Sequence, residues 1–302
     1  MPQSKINPAI PFHLAEVKKG KRRFENAFQG VARMILEGGV EKTLVNGKTT
    51  YDFPVFRNGK KHTIGMYDEI NSLVSFVKDA AEGGSSKEMA FVLVGEPGNG
   101  KTFFVEFLCG KYRQFLTRPE NTKYTFRFVN MDKLGHYGRI GTIESQTYED
   151  PMILAMNLFE DPTQSQAYIA EKGGFTDAEI DSLYENFRPL GACSGYIWND
   201  IRGYAGGNIE EMLSFIEVVP VPLLESLGTV TGKYAAKDKI TSSAVDLLGE
   251  ESIQRLLHIT DTNNPYRFDL RRGALARVAG GGIHFSDEIY KNKRNWSRSI
   301  WG

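Results

Sequence analysis

The chain has 302 residues, 41% of them hydrophobic, enough for one large domain or two small ones with a real core. Its 37 lysines and arginines balance its 37 aspartates and glutamates, so no global field draws it to nucleic acid or to an anionic membrane. Two cysteines, Cys109 and Cys193, argue against a disulfide framework and against a zinc cluster.

The opening stretch, "MPQSKINPAIPFHLAEVKKGKRR", lacks the apolar core of a signal peptide. No segment approaches the roughly 18 uninterrupted apolar residues of a membrane span. A cytoplasmic protein is expected, without specific nucleic-acid or membrane partners. The densest basic run, "KKGKRR" (Lys18 to Arg23), reads as a solvated helix face. Residues 1–60 read as an N-terminal extension. Within it, "AFQGVARMIL" (Ala27 to Leu36) has helical spacing, and Asn46-Gly47 and Asn58-Gly59 signal hairpin turns between short strands. Residues 66–81 predict an amphipathic helix with Ile70, Leu73, Val74 and Val77 on one stripe, and 82–88 a loop.

"FVLVGEPGNGKTFF" (91–104) follows. Phe91 to Val94 read as a fully buried strand. Gly95, Gly98 and Gly100 let the backbone itself approach a ligand. From Thr102, the residues Phe103, Phe104, Phe107 and Leu108 fall at helical spacing, so a helix opens there. Its N-terminus favours an anion, Lys101 adds a full positive charge, and Thr102 offers a hydroxyl to Mg²⁺. Gly95-x-x-x-x-Gly100-Lys101-Thr102 is the Walker A pattern of a P-loop. The expected cofactors are ATP and Mg²⁺. The binding stretch is Gly95, Glu96, Pro97, Gly98, Asn99, Gly100, Lys101 and Thr102, with Phe103 behind it. The bland alternative is a glycine-rich turn with a surface lysine.

Further strands are expected at "YTFRFV" (124–129) and "SFIEVVPVP" (214–222), the latter stopped by its prolines, and a helix at "ESIQRLLHI" (251–259). Residues of about 150–260 read as a helical, irregular insertion. Helices alternating with apolar strands around a P-loop imply a three-layer α/β/α domain over 61–302. A P-loop also needs an acid for its magnesium and a group for the attacking water. "GGGIHFSDEIYKNKR" (280–294) supplies both, with Asp287 behind the magnesium and Glu288 facing the water. The same residues also fit a helix start, with Ser286 as cap. His136, in "KLGHYGRIG", reads as a solvated loop histidine. Arg271 and Arg272 read as surface arginines or as groups acting on a neighbouring subunit's nucleotide.

"IGMYDEINSLVSFVKDAAEGG" running into the P-loop resembles the start of the AAA domain of PrkA-type proteins, bacterial proteins described as serine protein kinases. "SQTYEDPMILAMNLF" (145–159), "FIEVVPVP" and "RGALARVAGGGIHFSDEIYKNKR" resemble later segments of that family, in the family's order, over residues of about 62–294. Glu288 falls on a glutamate of the last motif, while Asp287 stands where the family often has an apolar residue. The resemblance implies a P-loop NTPase of AAA type, with Ile64 and Gly65 lining the adenine pocket. It implies ATP hydrolysis that drives conformational change or protein phosphorylation, with a protein substrate or partner and a homo-oligomer. Taking Ile283 to Ser286 as the Walker B strand, the AAA domain is expected to be incomplete after it and the chain to behave as a fragment. Residues 49–57 are the candidate to fill the missing strand position. The alternative function is a nucleotide-gated interaction module with little intrinsic catalysis.

Overall fold

In the computed structural model, which describes residues 9–57, 66–96, 98–224, 230–235, 246–247, 249–251, 257, 259–264, 267 and 270–287, the chain divides into two units. One holds residues 25–118; the other holds residues 1–24 together with 119–302. The stretch read as an N-terminal extension is therefore shared between them. The helix α1 (Ala9–Lys18) belongs to the larger unit, and the chain then enters the smaller one.

The smaller unit begins with α2 (Ala27–Glu37), started by a capping box in which Asn26 and Gln29 bond each other's backbone N–H. Val31, Met34 and Ile35 form its buried stripe. β1 (Glu41–Val45) and β2 (Lys48–Asp52) form an antiparallel hairpin. Its two turn residues, Asn46 and Gly47, have φ of 49° and 76°, as a tight two-residue hairpin demands. This pairing takes Thr49 to Asp52 of the segment expected to fill a central strand position, and Pro54–Phe56 continue as a turn of 3₁₀ helix. α3 (Tyr67–Ala81) buries the expected Ile70, Leu73, Val74 and Val77. Asn71 on α3 donates to the Tyr51 carbonyl at 2.8 Å, which pins the hairpin to the helix. α4 (Lys101–Leu116) contributes Phe104, Leu108, Cys109, Tyr112, Phe115 and Leu116 to the core. Burial pushes the Cys109 thiol up to about 11, so Cys109 is a core residue and no nucleophile.

Residues 91–94 differ from expectation. They carry no regular secondary structure and join no β-ladder among the described residues. Phe91 and Leu93 are half-buried, with the Phe91 ring 5.5 Å from that of Phe76 on α3. Val92 is 51% exposed and Val94 84% exposed. Period-2 alternation survives, so one face packs on a helix and the other lies open.

The larger unit is built on β3 (Tyr124–Val129), with β4 (Thr142–Glu144) and β5 (Ile216–Pro220) antiparallel on its two sides. Both longer strands lie where the sequence places them. Between them run α5 (Pro151–Met156), α6 (Pro162–Gly173), α7 (Asp177–Tyr184), α8 (Ala192–Tyr204) and α9 (Ile209–Leu213). Asp150, Asp161, Thr176 and Asn208 cap four of these helices with their side chains. Phe126, Phe128, Ile143, Met152, Ile197 and Trp198 are all within one core cluster. Of the basic run, Lys18 ends α1 and pairs with Glu179, and Arg22 lies 3.8 Å from the centre of the Tyr124 ring. Lys18, Lys19, Lys21 and Arg23 are exposed, as expected of a solvated run, and Arg22 is the half-buried exception. Two small sheets complete the description: β7 (Gly249–Glu251) antiparallel to β8 (Leu270–Arg272), and β6 (Thr231–Ala235) parallel to β9 (Ile283–Asp287). The fold is mixed α/β, and its largest described sheet is antiparallel. The helix expected over 251–259 falls mostly outside the described residues.

Candidate functional site

The glycine-rich loop joins residues 91–94 to α4. Gly98 and Gly100 have φ of 88° and 75°, a region that any residue with a Cβ enters under strain. Gly100 caps α4 without a side-chain bond, and the helix's first backbone bond runs from Phe104 N to Gly100 O. The N–H groups of Lys101, Thr102 and Phe103 therefore precede the intrahelical ladder and point out of the helix start. Lys101 folds back over the loop, its Nζ donating to the carbonyls of Gly95 at 2.7 Å and Glu96 at 2.6 Å. An ammonium has three donors, so one remains. Gly95, Glu96, Gly98, Asn99 and Gly100 are exposed and Thr102 is half-buried. Phe103 is 53% exposed and stacks on Phe107, with ring centres 6.0 Å apart. The arrangement presents unpaired N–H groups, a helix dipole and a cation at one accessible loop, which is what an anion requires.

Pro97, Ile64, Gly65 and Glu288 lie outside the described residues. Asp287 is the last residue of β9, opposite Ala235, and is half-exposed. It stands at the end of a strand, as expected, and belongs to the larger unit, whereas the loop belongs to the smaller one. On the same strand, His284 Nε2 lies 2.9 Å from Ser286 Oγ, and burial lowers the imidazole's pKa. Arg272 has its guanidinium committed locally. It donates to the carbonyls of Gln146 at 2.7 Å and Ser145 at 2.8 Å and to the Tyr148 hydroxyl at 2.8 Å. It is a clamp on residues 145–148, a role the sequence reading missed.

A second polar cluster was also missed. His136 is a partly exposed loop residue, as expected, but it is held: its Nε2 lies 2.8 Å from Asp200 Oδ2 on α8. The Tyr137 hydroxyl donates to the same oxygen at 2.7 Å, and the Tyr196 hydroxyl donates to Asp261. These partners are 63 to 65 positions apart, so no local motif could reveal them. Among the described residues no group of three or more His, Cys, Asp or Glu side chains could hold a metal ion by itself. No helix of the described residues is long and apolar enough to cross a membrane. Compared with protein-family models, with curated proteins and with solved structures, the chain matches none.

Proposed function

We propose that the chain is an ATP-binding module in which residues 95–102 hold the β- and γ-phosphates of Mg·ATP. The observation that carries this reading is Lys101, placed at the first position of α4 and folded over a loop whose turns need glycine. On binding, its ammonium exchanges loop carbonyls for phosphate oxygens, and the N–H groups at the start of α4 take the rest. Thr102 ligates the magnesium. The resemblance to PrkA-type AAA domains supports Ile64 and Gly65 as the adenine contacts, Asp287 as a magnesium ligand and Glu288 as the residue activating water. Hydrolysis then drives conformational change or phosphorylation of a protein partner.

One observation favours the second reading, a nucleotide-gated interaction module with little turnover. Val92 and Val94 leave an apolar face open directly before the phosphate loop. Such a face suits a surface whose exposure responds to the nucleotide beside it.

Calorimetry with Mg·ATP tests both readings. The wild-type chain binds, and Lys101→Ala weakens binding by about tenfold or more, the effect of losing one charge-assisted hydrogen bond. Equal affinity of the two proteins overturns the assignment of the loop. Phosphate release separates the readings: a fall of about a hundredfold in Glu288→Gln, with binding intact, selects hydrolysis. Binding without measurable release selects the gated module.

A further inference from the structure

The cluster around His136 has the makings of a second chemical site. His136 sits in a loop after a short turn of 3₁₀ helix, Met131–Leu134, and its side chain is 34% exposed. The ring lies against Tyr137, centre to centre 4.3 Å, and Tyr137 is fully buried. Burial and the Asp200 carboxylate raise the Tyr137 pKa, so its phenol stays protonated and donates. Asp200 therefore accepts from both neighbours.

A carboxylate can only accept, so the neutral imidazole carries its proton on Nε2 and its lone pair on Nδ1. Nδ1 has no hydrogen-bond partner among the described residues. Asp261 adds a second negative charge. The Tyr196 hydroxyl and the Asn263 N–H hold its pKa below the usual range, and it interacts electrostatically with both His136 and Arg267. The other described histidines lack this arrangement. His13 is buried with Nδ1 bonded to Arg22, and the Nε2 of His284 bonds Ser286.

The geometry points to His136 Nδ1 as a phosphoryl-acceptor site, with Asp200 as the residue that holds the opposite ring nitrogen. The Nδ1 lone pair forms a bond to phosphorus while the donor's bond to phosphorus breaks, its electron pair leaving with the donor. The Nε2 proton stays shared with Asp200. The positive charge that develops on the ring is offset by Asp200 and Asp261. The donor is a compound with a labile phosphoryl group, either a small phosphoramidate or a nucleoside triphosphate. The chemistry of the ring does not depend on the phosphate loop.

The test treats the full chain with potassium phosphoramidate, maps the label by mass spectrometry and assigns the ring nitrogen by ³¹P NMR. His136 reacts ahead of the other histidines, and at Nδ1. Asp200→Asn slows the reaction about tenfold or more, as expected for loss of a hydrogen bond to a charged group. Tyr137→Phe removes buried packing polarity but keeps the carboxylate, and labelling persists; His136→Gln abolishes it. Labelling at Nε2, equal rates in wild type and Asp200→Asn, or no preference for His136 overturns the proposal. The regiochemistry in the wild type decides the matter even if a variant misfolds. A parallel incubation with γ-labelled Mg·ATP identifies the source. Label at His136 from Mg·ATP makes the donor a nucleotide, and label from phosphoramidate alone makes it a small molecule.

Discussion

Glu149 is 4% exposed, and its carboxylate is hydrogen-bonded. Its carboxylate accepts from Ser145 Oγ at 2.9 Å, from Ser194 Oγ and from the Gly191 N–H at 2.8 Å. Gly191 is the cap residue of α8, so a carboxylate from another segment accepts the cap N–H that an N3 Glu or Gln takes in a capping box. Buried donors deprived of an acceptor cost about 1–3 kcal/mol each, and Glu149→Ala strands several. We expect it to lower stability by about 2–4 kcal/mol. An unchanged denaturation midpoint would show that the network is not stabilising. Lys101 and Glu149 mark the limit of what single residues disclose. Lys101 is legible because its partners are five and six positions away, within one loop. Beyond Ser145, four positions away, Glu149 finds its partners 42 and 45 positions away and His136 finds its own 64 away, where only the fold brings them together.

Elements were legible where chemistry is local. α2 and α3 carry their buried stripes at i, i+3 and i+4, and the hairpin turn carries the Asn-Gly pair that positive φ requires. Residues 91–94 show the opposite case. Four apolar residues in a row record a tendency to be covered, but not by what. The described structure covers one face with α3 and leaves the other open. Packing between α2 and α4 yields a sharper prediction. A Cβ added to Gly30 would lie 2.7 Å from the Tyr112 hydroxyl, and Tyr112 is fully buried. Gly30→Ala gains about 1 kcal/mol of helix propensity. The forced shift costs about 1–3 kcal/mol and outweighs it. Thermal denaturation should show Gly30→Ala less stable than wild type, with Tyr112→Phe recovering part of the loss in the double variant. A stabilised Gly30→Ala protein would mean that the helices separate there without cost.

At the scale of the molecule, the sequence indicated an α/β chain but not the direction of its strands. Antiparallel and parallel neighbours both accept runs such as "YTFRFV" and "FIEVVP", and direction is set by connections of tens of residues. The division of the chain was equally hidden. Residues 1–24 belong with 119–302, on the far side of a 94-residue unit in sequence, and the basic run at Lys18 to Arg23 gives no local sign of it. What the sequence did indicate is the glycine-dependent turn that opens α4 on Lys101, because its requirements lie within eight consecutive residues. The central claim, that this loop is where Mg·ATP binds, is tested most directly by amide hydrogen exchange with and without a slowly hydrolysed ATP analogue. The account predicts slowed exchange in the peptide spanning Gly98 to Phe104, absent in Lys101→Ala. Protection confined to other parts of the chain, or protection that survives in Lys101→Ala, would contradict it.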